Sequence, residues 1–330
     1  MLKSILKGLS GPARSEWKNW KEHRTEKKKS AVLQAKPFKV EDALILTGDP
    51  RGGTTWLMEM LARLPGTVIN WEPLHHGRGV VPVGARWGRR PYFPPDDRDP
   101  DRFASMCDIL TFQRSTPWTT KHATLEQARD ATQVLTKFVR ANLLLPWLTT
   151  RIAFVRPPVL LLRHPVPTVL SQLRAFHLEE QMRPRIKVPD AVFSERYSAN
   201  LDYLNGLTPG LERNVAMWCV NNLSTIRDPR HGKAWVTVHY EDLLLDPQRE
   251  LSRIALAWGI DPSIFTEGLD PHKASATTFG SDLRRRPAEQ AGKWRDRIEH
   301  DQKQRIQNIL DHFEVDEYSA FEAAPVHRRL

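Results

Sequence analysis

The sequence predicts an α/β fold: a central parallel sheet flanked by helices. Three observations carry that expectation. Short, wholly apolar runs recur, among them Leu44-Ile45-Leu46 and Val159-Leu160-Leu161-Leu162. Such runs are what strands covered on both faces look like. Stretches with helical spacing follow them, so strand and helix alternate. Glycine, proline or asparagine punctuates the joins.

The central element runs from Ala43 to Pro73. Ala43 to Thr47 reads as a buried strand. Gly48-Asp49-Pro50-Arg51-Gly52-Gly53 cannot continue it, because Pro50 lacks an N–H and the glycines open other conformations. Thr54 or Thr55 then opens a helix, with Trp56, Leu57, Met60, Leu61 and Leu64 on one face. Thr67 to Trp71 is a second short strand. It ends at Glu72-Pro73, where the proline keeps Glu72 out of helical geometry.

The remaining elements follow in order. Residues 1–39 form a basic N-terminal arm, with Lys27-Lys28-Lys29 and tryptophans at 17 and 20. Residues 40–330 form a single α/β domain with loop insertions at about 75–102 and 181–210. The first insertion is rich in Gly, Pro and Arg, and Trp87, Tyr92 and Phe93 mark it as a loop packed on the domain. It is either a substrate-side loop or a structural linker. Residues 103–130 are expected to be mostly helical. Gln133 to Val139 reads as a strand, Asn142 to Thr150 as a helix, and Val159 to Leu162 as a strand. A helix is expected from about Pro167 to Glu180 and another from Glu212 to Ile226. Ala234 to Val238 reads as a strand and Gln248 to Trp258 as a helix. Gly292 to Phe313 opens with Gly-Lys-Trp-Arg and continues as a charged helix.

The chain has 330 residues, 40% of them hydrophobic, enough for a sizeable core. Its net charge of +10 points to anionic partners without choosing among nucleic acid, an acidic membrane surface and a phosphorylated ligand. The two cysteines, Cys107 and Cys219, allow no disulfide framework and no Cys-x-x-Cys metal pattern, so a reducing compartment is compatible. No run approaches the ~18 apolar residues of a membrane span. The N-terminal MLKSILKGLSG puts Leu2, Ile5, Leu6 and Leu9 on one helical face. It is either a helix lying on an anionic membrane or one docked on the domain. A cytoplasmic protein, with peripheral membrane contact through the arm as an option, is the expectation.

Strand, glycine loop and helix together make an anion site, because free backbone N–H groups and the positive end of the helix dipole converge there. The Gly-Lys-Ser/Thr ending of nucleoside triphosphatases is absent. Instead Arg51 stands before the glycines and Thr54, Thr55 and Trp56 follow. Farther on, Arg163 leaves the end of the Val159–Leu162 run, and Ser171 lies eight positions later on the following helix. An arginine beyond a strand end, paired with a hydroxyl, can hold a phosphate.

Pro50-Arg51-Gly52-Gly53-Thr54-Thr55-Trp56 closely resembles the 5′-phosphosulfate loop of the sulfotransferases. Arg163 with Ser171 resembles the pair that holds the donor's 3′-phosphate in that family. Val238-His239-Tyr240-Glu241-Asp242-Leu243, then Asp246-Pro247 and Gly292-Lys293-Trp294-Arg295, are similar to its later elements. The likeness runs from about residue 40 to 315, leaving out the arm and the loop at 75–102. It implies a P-loop-like sulfotransferase architecture and transfer of a sulfuryl group from 3′-phosphoadenosine 5′-phosphosulfate (PAPS) to an acceptor hydroxyl, without a metal. The acceptor it implies is a carbohydrate or glycolipid, not nucleic acid. It further implies that Gly52, Gly53, Thr54, Thr55 and Trp56 contact the donor along with Arg51. Basic residues near Arg284, Arg285 and Arg286 would contact it too, although that cluster lacks the family's glycine. The cytosolic branch carries a histidine base two residues after a strand lysine; here Lys137 is present but Val139 holds the histidine's place. The carbohydrate and tyrosyl-protein branches use a carboxylate after the second strand, which matches Glu72. Glu72 is therefore the expected base and His75 its alternative, with Lys137 and Arg51 stabilising the transferring and leaving groups. A small-molecule kinase, or a non-catalytic nucleotide- or nucleic-acid-binding protein, is the competing expectation.

Overall fold

The computed structural model of the chain describes residues 24–176, 183–268 and 287–326. Five parallel strands form one sheet: β1 (Leu44–Gly48), β2 (Thr67–Trp71), β3 (Gln133–Lys137), β4 (Val159–Leu162) and β5 (Val236–His239). Their order across the sheet is β2-β3-β1-β4-β5, so β1 is central. Leu46 pairs with Lys137 of β3, and Gly48 pairs with Leu161 of β4. Because all pairs are parallel, every strand's carboxyl end lies on one edge.

The apolar runs form strands because both faces are covered. Every residue of β1 and β4 is buried. Leu44 and Leu46 turn to the side that α1 (Thr54–Leu61) fills with Leu57, Met58 and Leu61. Ile45 joins a second cluster with Phe93, Met106 and Trp147. Each such fully buried side chain contributes about 1.5–3 kcal/mol. Residues 75–99 hold no strand or helix, yet Trp87 and Phe93 are fully packed, with the Phe93 ring 5.1 Å from that of Trp147. The aromatic anchors of this loop do what their presence in a Gly/Pro-rich stretch predicts. Asp99 then caps α2 (Pro100–Leu110), accepting from the N–H groups of Asp101 and Arg102.

Residues 103–130, expected to be mostly helical, are helical only at their two ends. α2 stops at Leu110, and α3 (Leu125–Asp130) restarts behind a Thr124/Gln127 capping box. Phe112 between them has φ 59°, which ends a helix, and Pro117 has no N–H to continue one. The loop at 111–124 runs beside β2, where the Trp71 N–H donates to the Thr119 carbonyl at 2.9 Å. It is pinned from below by the helical stretch at 24–34. There Lys29 is buried, donates to the carbonyls of Thr120 and Ala123 at 3.0 Å each, and pairs with Glu26 at 2.6 Å. The three-lysine run is thus not one solvated face: Lys27 and Lys28 are exposed, Lys29 is structural.

Other boundaries move by a turn or less. A 3-10 turn at Asn142–Leu144 precedes α4 (Leu145–Arg151). α5 (Pro165–Phe176) starts earlier than expected, because proline is tolerated in a helix's first turn. The surface loop expected at 181–210 contains the short helices Glu195–Ala199 and Leu201–Gly206. α6 (Leu211–Ile226) packs on α5 and on the buried Tyr197. After β5 come α7 (Tyr240–Leu245) and α8 (Pro247–Ala257). The charged helix expected after Gly292-Lys293-Trp294-Arg295 begins only at His300, as α9 (His300–His312), because Trp294 turns into the core against His164. Among the described residues, no helix is long and apolar enough to cross a membrane.

Candidate active site

The edge at the strands' carboxyl ends holds two groups of side chains, one on each side of β1. The first surrounds the glycine loop. Gly53 has φ 96° and is the N-cap of α1, with no side chain capping that end. A Cβ on Gly53 would come within 2.5 Å of the Tyr240 ring, and one on Gly52 would come within 2.9 Å of the Asp49 carbonyl. Only glycine fits either place. Arg51 itself sits at φ 64°, a left-handed conformation that costs a non-glycine residue and persists only where the surroundings impose it. The surroundings do so from α5 and β4: Gln172 Nε2 donates to the Pro50 carbonyl and Arg163 Nη1 to the Arg51 carbonyl, each at 2.8 Å.

Arg51, Arg163 and Ser171 are brought together. Arg51 Nε donates to Ser171 Oγ at 3.2 Å. Arg163 lies over the Tyr240 ring at 4.3 Å, and its Nε is buried without a hydrogen-bond partner. Loss of hydration, then repulsion from Arg163, holds the Arg51 guanidinium below its ordinary value. Two cations held this close at a helix N-terminus are an anion site by charge and by geometry. Thr54 and Thr55 are buried in the first turn, and Trp56 meets Tyr240 edge-on at 6.1 Å.

Asp49 ties the loop to the domain. It pairs with Arg90 of the 75–99 segment at 2.8 Å and accepts from Asn222 of α6 at 3.0 Å. Asn142 donates to Asn222 at 2.6 Å and accepts from Thr47 at 2.9 Å. A buried carboxylate with these partners fixes the loop's entry rigidly.

The second group surrounds Glu72. The end of β2 puts it beside Lys137: the Glu72 N–H donates to the Lys137 carbonyl at 2.8 Å, and Lys137 Nζ meets Glu72 Oε1 at 2.5 Å. Glu72 has φ 41°, so the turn before Pro73 is strained and aims the carboxylate back at the sheet edge. Burial pushes Lys137 down to about 8, with Glu72 pulling it part of the way back. Its ammonium also lies over the Trp71 ring at 4.0 Å. His75 packs at a tilt against Trp118 with ring centres 4.7 Å apart, and burial, then Arg140, lowers its pKa.

The 111–124 loop contributes Trp118, Lys121 and His122 to this group, and the chain after β3 contributes Arg140. Lys121 Nζ lies 3.9 Å from the Trp118 ring and 4.1 Å from that of Trp71. His122 packs on Trp71 at 4.1 Å, and burial, then Lys121 and Lys137, pushes it down to about 4. None of these four was singled out from the sequence. The adjacent Lys121-His122 within a Ser/Thr/Pro-rich stretch was the available signal. Of the residues that shape the other group, Tyr240 falls inside a stretch quoted for its likeness and Gln172 inside the helix expected from Pro167, but neither carried a role. Arg284, Arg285 and Arg286 lie outside the described residues. Among the described residues, no group of His, Cys, Asp or Glu side chains is arranged to hold a metal ion.

No protein-family model and no curated protein matches the sequence. Among solved structures, the chain is similar to mouse sulfotransferase SULT7A1 complexed with PAP at 12% identity, covering 88% of this chain and 90% of that one, with a TM-score of 0.41. It is similar to the sulfotransferase domain of the curacin biosynthetic pathway at 17% identity, covering 83% and 97%, with a TM-score of 0.41. A third likeness is to the sulfotransferase domain of the Synechococcus PCC 7002 olefin synthase, at 17% identity, 83% and 95% coverage and a TM-score of 0.40.

Proposed function

We propose that this chain is a sulfotransferase that moves a sulfuryl group from PAPS to an acceptor hydroxyl. One observation carries the reading: Arg51, Arg163 and Ser171 converge beside the N-terminus of α1, on a loop that lacks the lysine of a triphosphatase. The α1 N-terminus and Arg51 suit the 5′-phosphosulfate, and Arg163 with Ser171 suits the 3′-phosphate. Charge grows on the bridging oxygen as the donor's S–O bond breaks. Pre-aimed donors such as Arg51 stabilise that charge, and one such group contributes roughly 2.7–4 kcal/mol.

On the other side of β1, Glu72 accepts the acceptor's proton as the hydroxyl oxygen forms its bond to sulfur. The electron pair of the breaking S–O bond leaves with 3′,5′-ADP. Uptake of the proton discharges the ion pair, and the Lys137 ammonium is then available to the sulfuryl oxygens. A positioned base contributes about 10²–10⁴-fold. Neither His75 nor His122 is as well disposed, because burial disfavours the imidazolium each would become. In this reading the acceptor is a carbohydrate or glycolipid hydroxyl, and the protein works in the cytoplasm.

Thermal stabilisation tests the donor assignment. A ligand at a hundred times its Kd adds about 2.7 kcal/mol. 3′,5′-ADP is expected to stabilise the chain and ATP-magnesium is not; the reverse result makes the chain a kinase-like protein.

A further inference from the structure

The Glu72 side of the edge carries more positive charge than its chemistry needs. Lys137 is matched by Glu72, and Arg90 by Asp49. Lys121, Arg78 and Arg140 have no ion pair of their own among the described residues; the carboxylate that Lys121 and Arg140 feel, Glu72, is already paired with Lys137. Lys121 rests between the faces of Trp71 and Trp118, and Arg78 lies 5.1 Å from the Trp118 ring. These are cation–π contacts, which position an ammonium or guanidinium without neutralising it. Half-buried Arg140 has no hydrogen bond or ion pair to any described residue, and it faces Arg90 and Arg89 as well as Glu72. Like charges gathered in a partly dehydrated corner cost free energy, and an anion placed among them recovers it. The corner also has an unsatisfied polar lining: Trp71 Nε1, Trp118 Nε1, His75 Nδ1 and His122 Nε2 are buried with no hydrogen-bond partner among the described residues. The two indole N–H groups are donors, as are the flanking Lys121 and Arg140. A neutral acceptor would leave Lys121 and Arg140 unanswered.

We infer that the acceptor is itself an anion: a hydroxyl compound bearing a carboxylate, phosphate or sulfate group, which Lys121 and Arg140 hold. The inference rests on the sulfotransferase reading for the word acceptor, but the anion site stands on these side chains alone. A charge-assisted contact contributes enough to discriminate against the neutral analogue by about tenfold or more.

Calorimetry on the full chain, with 3′,5′-ADP present at saturation, tests this using p-nitrophenyl β-D-glucuronide, p-nitrophenyl phosphate and p-nitrophenyl β-D-glucoside. At least one anionic probe is expected to bind about tenfold more tightly than the glucoside. The tighter of the two anions tells carboxylate from phosphate. The preference is expected to shrink in Lys121→Gln, an exposed position that the fold tolerates, and in Arg140→Gln. Equal affinity for the three probes, binding of none, or a preference that neither substitution moves overturns the inference. The 3′,5′-ADP titration reports separately: if it fails, the sulfotransferase reading falls, and the three probes still decide whether the corner selects anions.

Discussion

The two sides of β1 solve the same problem, holding charge at a sheet edge, by different means. The glycine-loop side is made by the backbone. Its shape follows from Gly52 and Gly53, and side chains from β4 and α5 grip its carbonyls. The Glu72 side is made by side chains drawn from three separate stretches, joined through the edge-on contact of Trp71 and Trp118. A backbone site is fixed once the local sequence folds. A side-chain site depends on how distant segments dock, so it can vary while the first stays the same. Under the proposed reading, that is the division of labour expected of a common donor and a variable acceptor.

Substitutions can break this comparison. The largest expected effect is that of Glu72→Gln, which keeps shape and removes the base. Turnover in a sulfuryl-transfer assay should fall by roughly 10²–10⁴-fold while the Kd for 3′,5′-ADP is unchanged. If turnover holds and His75→Ala abolishes it, the base is His75. Arg51→Ala acts across β1 and should lower turnover by about 10²–10³-fold with the circular dichroism intact. Undiminished transfer would make Arg51 purely structural.

A pH profile sharpens the contrast between the sides. Lys137 loses its ammonium as pH rises through about 8. Turnover that uses this charge should therefore decline above that pH, by about tenfold per unit in the limit. Glu72 holds the Lys137 proton in place, so in Glu72→Gln any residual alkaline decline should begin at lower pH. A decline that stays put, or moves upward, would assign the limb to another group. The smallest effect is expected from Ser171→Ala, which removes the hydroxyl proposed to donate to the donor's 3′-phosphate, a hydrogen bond worth about 1 kcal/mol. Affinity for 3′,5′-ADP should fall about fivefold, and affinity for 5′-AMP should not change.

The same contrast explains what was legible in the sequence. β1, its glycine loop and α1 are local: apolar run, glycines and helical face each act within a few residues, so the sequence states them in order. β4 with Arg163 and Ser171 is legible for the same reason. The Glu72–Lys137 pair was half legible, because both strands could be read but their adjacency comes from β3 inserting between β1 and β2. Trp118, Lys121 and His122 were missed because the apolar content of residues 103–130 suggests helix. Phe112, whose positive φ breaks that helix, is a fully buried aromatic with no turn-forming signature of its own. Arg140 has no local signature: its isolation is a fact about what surrounds it in space.

Lys29 carries a further consequence. Its amine is enclosed by the carbonyls of Thr120 and Ala123, while Lys27 and Lys28 stand in water. An acylating reagent therefore reaches two lysines of the run at once and the third only when the 111–124 loop lifts from the 24–34 helix. The rate at which Lys29 is labelled is a clock for that opening, and the clock runs on the Glu72 side alone. Slower labelling when an acceptor is bound would time, in the native chain, how firmly each compound closes its own half of the edge.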